Sequence, residues 1–193
     1  MDAIARTDPS EELRTLSIAV VGSGGAGALT TGKLLLEACA RQGCYGIQTR
    51  SVGPQIRGGE AAAMVRLASR PIDSASDRFD LLLAMDCNNV QRFAAEIPLD
   101  PDSLILRDPA AGDIPPAIAK SNAQVREVEI GALAKQIKQG RGNMIALGVL
   151  AVAPTVVSAV VCLAAAGVGH VVVDVSGRTL LQLAVLVPVV WLS

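Results

Sequence analysis

Aromatic side chains make up only 2% of this chain of 193 residues: one Trp, one Tyr and two Phe. That leaves almost no platform on which bases could stack, and a formal net charge of -1 gives no electrostatic reason to bind nucleic acid. Histidine occurs once, as His170, set in an apolar stretch away from every motif described below. It reads as a structural or turn residue, so no histidine is at hand there for general acid–base work. Four cysteines, Cys39, Cys44, Cys87 and Cys162, fall in no C-x-x-C or zinc-knuckle spacing. They read as small buried hydrophobes in a reducing compartment, and they cannot assemble an iron–sulfur cluster by themselves. The first ten residues are polar and mixed in charge with no apolar h-region, so a secretory signal is not expected.

Charge is also missing from one end. Between Met144 and Ser193 the only charged side chains are Asp174 and Arg178. This shift carries much of a mean hydropathy of +0.44, high for a soluble domain.

Ahead of that shift, short apolar runs alternate with helical patterns. Leu16 to Val21 reads as a buried parallel strand ending at Gly22. Leu29 to Arg41 has helical periodicity and is stopped by Gly43. Further strands are expected at Cys44 to Arg50, Ala61 to Ala68, Phe79 to Met85, Ser103 to Leu106 and Gln124 to Ile130. Pro115-Pro116 punctuates the loop before the last of these, a short helix follows over Gly131 to Gln139, and another starts near Asn143. The alternation predicts an α/β fold: a Rossmann-like three-layer sandwich with a mostly parallel or mixed sheet. Asp86 and Asp108 end strand candidates, where they read as caps of the segments that follow.

What the sequence has in abundance is glycine at two places. Gly22-Ser-Gly-Gly-Ala-Gly27 follows the first strand and opens the first helix, and Gly53-Pro-Gln-Ile-Arg-Gly-Gly-Glu60 follows the second strand. The first has the Gly-x-Gly-x-x-Gly spacing of the dinucleotide fingerprint. Gly22 permits a tight turn, Gly24 a close approach of backbone to phosphate, and Gly27 close packing of helix on strand. The helix N-terminus then offers free N–H groups and the positive end of its dipole to an anion. The fingerprint also asks for an acid at the end of the second strand, where this chain has Gln48-Thr49-Arg50-Ser51. That argues against NAD and leaves NADP open, with Arg50 toward a 2′-phosphate. In the second loop the Arg57 guanidinium suits a phosphate or carboxylate, and Gly58 and Gly59 allow backbone to come close. No nucleophile–base pair is visible, so catalysis by this chain alone is not expected.

At these loops the chain resembles the gamma subunit or domain of 2-oxoacid:ferredoxin oxidoreductases. Gly22 to Leu35 resembles that family's opening, and Ser51-Val-Gly-Pro-Gln-Ile-Arg-Gly-Gly-Glu-Ala61 its second signature. Asp80 to Asp86 and Gly142 to Gly148 resemble later segments, in consistent order from Ser17 to Val149. The version here is most similar to the gamma domain at the N-terminus of a fused alpha subunit. Ala26 stands where the family usually has glutamine. The resemblance implies a cytoplasmic enzyme that oxidatively decarboxylates a 2-oxoacid, pyruvate or 2-oxoglutarate, to an acyl-CoA. Thiamine diphosphate and iron–sulfur clusters would lie in partner alpha/beta subunits or domains, with ferredoxin as acceptor. The gamma domain would be non-catalytic, structural and able to recruit coenzyme A through Gly22, Gly24, Gly25, Gly27, Arg57, Gly58 and Gly59. Glu60 would orient Arg57 or cap a strand. The alternative from the residues alone is a free-standing NADP-binding reductase or regulatory module.

The expected organisation is an N-terminal extension over 1–15, a gamma-type domain over 16–150 and an apolar tail over 151–193. Met144 to Val173 is uncharged and long enough to span a bilayer, though broken by Pro154 and several glycines. Three readings compete for this end: a membrane hairpin, a helix and strand completing the core, or an aberrant C-terminus from a truncated or frame-shifted reading frame. The abrupt end of the resemblance favours the third.

Overall fold

A computed structural model describes residues 15–23, 25–53, 59–138 and 140–152. The apolar run after Thr15 becomes β1 (Thr15–Ser23), and seven of its nine residues are buried. Helix α1 (Ala28–Arg41) follows, then β2 (Tyr45–Val52), β3 (Glu60–Ala68) and β4 (Leu81–Ala84). After β4 come α2 (Cys87–Phe93), β5 (Leu104–Arg107) and a single 3-10 turn (Pro109–Ala111). The described part closes with α3 (Pro116–Ala119), β6 (Gln124–Glu127), α4 (Ile130–Gln136) and α5 (Gly142–Val152).

The strands form one six-stranded sheet in the order β2-β3-β1-β4-β5-β6. From β1 through β4 and β5 to β6 the pairing is parallel, whereas β3 runs antiparallel to both β1 and β2. The sheet is mixed and Rossmann-like, with one strand of reversed direction next to β1. Because successive residues of a buried strand face opposite sides, β1 feeds two cores. Ile18 and Val20 point into the layer that holds Leu35 of α1 and Ala146 and Leu150 of α5. Ala19 and Val21 point into the other layer, with Val90 and Phe93 of α2 and Ile118 of α3. This gives three layers, helix on sheet on helix.

The strands lie within a residue or two of their expected places, with β4 and β6 shorter than the apolar runs suggest. Phe79 and Asp80 precede β4; they bond instead to the Pro98 and Ser17 carbonyls. Val128 leaves β6 for the core beside Ile130. Pro115-Pro116 is more than punctuation, since Pro116 starts the one-turn helix α3, a position where its missing N–H has no partner to lose.

Cys39, on α1, is only 8% exposed. Burial, and secondarily Cys44 beside it, pushes its thiol up from the usual 9.0 to about 11. The folded state therefore holds this proton more tightly than the unfolded chain, whose thiols titrate near ~8.5. Its contribution to stability is complete below that value and is lost as pH climbs toward about 11. Urea midpoints should fall between about pH 8.5 and 11, the span of those two values, and fall less steeply in Cys39→Ala. Parallel slopes for the two proteins would contradict this account.

Candidate functional site at the glycine-loop edge

The register places the two glycine loops side by side. Gly22 and Ser23 at the end of β1 pair with Ala61 and Glu60 at the start of β3, and Val52 at the end of β2 pairs with the same Ala61. The connector between β2 and β3 therefore rises from the same edge as the loop after β1. Gly24, Arg57 and Gly58 lie outside the described residues, so the placement rests on Gly22, Gly25, Gly27 and Gly59 and on the strands that frame them. Gly53 closes the hairpin by donating its N–H to the Glu60 carbonyl at 2.8 Å. A β-carbon at Gly53 would meet Glu60 Oε2 at 1.9 Å, so the absence of a side chain there makes room for the carboxylate. That Oε2 is buried and accepts no hydrogen bond from the described residues.

Gly27 is the N-cap of α1, in the left-handed region at φ 84, ψ 24, with no side-chain cap. No acidic residue occupies the first turn of α1 and no side chain among the described residues caps it, which leaves its first N–H groups and the positive end of its dipole open to an anion. Close packing of α1 on the sheet, expected of Gly27, falls to Gly32 one turn later, where a β-carbon would lie 2.7 Å from Ala63 Cβ. Gly27 abuts the start of α5, and a β-carbon there would be 2.7 Å from Asn143 Cβ. Thr31 Oγ1 donates to the Asn143 carbonyl at 3.2 Å, which fastens the same junction. Sequence reasoning missed Asn143; the only signal was its position just after Gly140-Arg-Gly142.

The parallel neighbours β1 and β4 flank the point where the chain switches sides of the sheet. In open α/β sheets the crevice outside such strand ends is where ligands bind. Here it is bounded by the first glycine loop, by Met85 and Asp86, and by Gly142 and Asn143. Asp86 caps α2 by accepting from the Asn88 N–H at 3.2 Å. Asp108 accepts from the Ala110 and Gly131 N–H groups at 3.0 and 2.8 Å. Both carboxylates are thus engaged with backbone. Arg107 is matched as well, by Glu127 and by Asp113. Cys87 opens α2 fully buried, and burial pushes its thiol above the usual value, the reverse of an activated nucleophile.

Among the described residues, no three His, Cys, Asp or Glu side chains gather to hold a metal ion. Cys39 and Cys87 sit on different helices, and Cys44 precedes β2. No helix among the described residues is long and apolar enough to cross a membrane. The readings made for the tail concern residues 144–193; of these only 144–152, within α5, are described, and 153–193 lie outside the described part.

The strand order bears on Arg50. In a dinucleotide fold the second strand adjoins the first. Here β3 intervenes, which sets the end of β2 two strand spacings, roughly 10 Å, from Gly22. Arg50 is carried instead on the strand that runs into the second glycine loop.

Comparison with known proteins agrees with this architecture. The model of the family described as pyruvate ferredoxin/flavodoxin oxidoreductase matches residues 17–167, running past Val149. The 2-oxoglutarate synthase subunit KorC of Archaeoglobus fulgidus is 32% identical over 85 residues, covering 44% of this chain and 46% of that protein. Among solved structures, 2-oxoglutarate:ferredoxin oxidoreductase from Magnetococcus marinus, with 2-oxoglutarate, coenzyme A and succinyl-CoA bound, is similar with a TM-score of 0.62 and 26% identity. That match covers 76% of this chain and 26% of the other. The gamma subunit of a keto/oxoacid ferredoxin oxidoreductase from Geobacter sulfurreducens shares the fold, with a TM-score of 0.58, 24% identity and coverage of 88% and 94%. The alignment with KorC thus takes in less than half of that relative's length.

Proposed function

The chain belongs to the pyruvate ferredoxin/flavodoxin oxidoreductase family as a gamma-type unit, and from that premise we propose that its glycine-loop edge recruits coenzyme A. The reaction it serves is oxidative decarboxylation of a 2-oxoacid: carbon dioxide leaves, two electrons pass to ferredoxin, and the acyl group joins the coenzyme A thiol. Thiamine diphosphate and iron–sulfur clusters belong to partner subunits or domains, and supply the carbon–carbon cleavage and the electron path there. This chain's residues bind and orient the acyl acceptor.

One observation carries the reading. The register of β1, β2 and β3 brings both glycine loops to one edge, beside a helix N-terminus with no side-chain cap. A diphosphate is the kind of group such an edge accepts: backbone N–H groups bind its oxygens, the dipole favours its charge, and Arg57 adds a guanidinium. The similar enzyme from Magnetococcus marinus was solved with coenzyme A bound, which fits this ligand class. The family takes in more than one 2-oxoacid, since pyruvate and 2-oxoglutarate appear among its members' names.

Calorimetric titration of coenzyme A into the full chain tests the proposal. Saturable binding is expected, weakened roughly tenfold in Arg57→Ala, the loss of about one charge-assisted interaction. No binding by wild type, or unchanged binding in the variant, would count against the assignment. Oxidoreductase turnover by the purified chain without a thiamine-binding partner would contradict its non-catalytic role.

A further inference from the structure

A cleft of about 430 Å³ lies between the first turns of α1 and the exposed edge of the sheet. Leu29, Thr30 and Lys33 form its helical wall, and Gln48 and Arg50 its strand wall. The local fold explains why these residues meet. Positions 46, 48 and 50 of β2 share the face covered by α1: a β-carbon at Gly46 would meet Leu36, and Gln48 Nε2 donates to the Leu29 carbonyl at 3.4 Å. Leu29 and Lys33 stand one turn apart on the helix face above them. Because β2 is the last strand on its side, the cleft is open to solvent there.

Its chemistry is one-sided. Two cations, a hydroxyl and an amide line it, and no carboxylate does. Lys33 has an ion pair with Glu37 at 3.6 Å, but both side chains are exposed, 71% and 46%, and such a surface pair holds a lysine only weakly. Among the described residues no carboxylate pairs with Arg50. The contrast with Arg107, which is answered by Glu127 and Asp113, is direct. Two cations on facing walls of one cleft, with no carboxylate lining it, favour a dianion between them, and the positive end of α1 adds to that demand. An arginine fork with a lysine beside it suits the three free oxygens of a phosphomonoester better than the bridged oxygens of a diphosphate.

The cleft is also next to the glycine loops. Leu29 is two residues beyond Gly27, and Arg50 three before Gly53. We propose that Lys33 and Arg50 hold the phosphomonoester on the ribose of a nucleotide whose diphosphate lies on the glycine-loop edge, the 3′-phosphate of coenzyme A being the source. This rests on the coenzyme A reading for the identity of the nucleotide, but not for the chemistry of the cleft. A 2′-phosphate, as in NADP, has the same chemistry from another source.

The test compares pairs of ligands that differ only in this phosphate, titrated into the full chain and into Lys33→Met/Arg50→Gln. Both positions are exposed, and thermal melting checks that the variant folds. Wild type should bind coenzyme A roughly 30-fold more tightly than dephospho-coenzyme A, as expected for two charge-assisted contacts. In the double variant that ratio should collapse toward one while the affinity for dephospho-coenzyme A stays the same. Equal binding of the two by wild type, or a ratio that survives the substitutions, would overturn the assignment and leave coenzyme A recruitment standing. If coenzyme A fails to bind but NADP binds over NAD with the same dependence on Lys33 and Arg50, the cleft assignment holds and the coenzyme A reading falls. No preference for the phosphorylated member of either pair overturns it.

Discussion

Gly27→Val is expected to destabilise the chain by roughly 3 kcal/mol and to abolish coenzyme A binding. Two separate effects add. At φ 84 the backbone of Gly27 is left-handed, which costs an ordinary residue about 1–2 kcal/mol and a β-branched one more. A β-carbon there would also stand 2.7 Å from Asn143 Cβ and 3.0 Å from Asn143 Cγ. Neither atom is the far end of a long side chain, so relief means moving the start of α5. That helix is anchored by Ala146 and Leu150, both fully buried, and by the Thr31 bond to the Asn143 carbonyl. The damage therefore spreads from loop to core. Gly25→Ala is the matched control: a β-carbon there meets nothing within 4 Å, and Gly25 is not among the positive-φ glycines. Its urea midpoint should stay close to wild type. Equal losses in the two variants would show that the loop tolerates no side chain anywhere, and that the Asn143 junction is not the cause.

Leu83→Ala should cost about 3 kcal/mol. Leu83 lies in β4, which is flanked on both sides by paired strands, and it is fully buried. It shares its core layer with Val20, Leu81 and Leu106. Such a site cannot collapse around a missing isobutyl group without bending three strands at once, so most of the cavity should persist. Val125→Ala, on the edge strand β6 where Val125 is 45% exposed, should change stability by only about 0.5 kcal/mol. Chemical denaturation of both variants checks the contrast. A loss below about 1 kcal/mol for Leu83→Ala would mean that β4 is far more yielding than its burial implies.

Much of this arrangement was legible in the residues because the relevant signals are local. Apolar runs at Leu16 to Val21, interrupted only by Ser17, and at Leu81 to Ala84 mark strands covered on both faces, and the structure buries them so. The period of α1 and the carboxylates at Asp86 and Asp108 are likewise written into neighbouring residues. The direction of β3 was not legible. Its alternation of small residues would suit either sense, and what decides is the short connector from Val52 to Glu60, which returns the chain as a hairpin. The Gly27–Asn143 junction was hidden for a similar reason, since its partners are over a hundred positions apart and nothing in either segment announces the other. The Lys33–Arg50 cleft was half visible. Arg50 stood out as a phosphate ligand, but Lys33 looked like any solvent-facing helix residue until α1 was laid across β2.

The strand order has a consequence for how the chain is made. β3 pairs with both β1 and β2, which do not pair with each other, so residues 15–68 complete a β-α-β-β unit from their own contacts. β4 then pairs with the free edge of β1, and β5 and β6 each pair with the edge that the preceding strand supplies. No strand has to be threaded into a finished sheet. The sheet can therefore grow outward in the order in which the ribosome delivers it, from a nucleus that already carries both glycine loops.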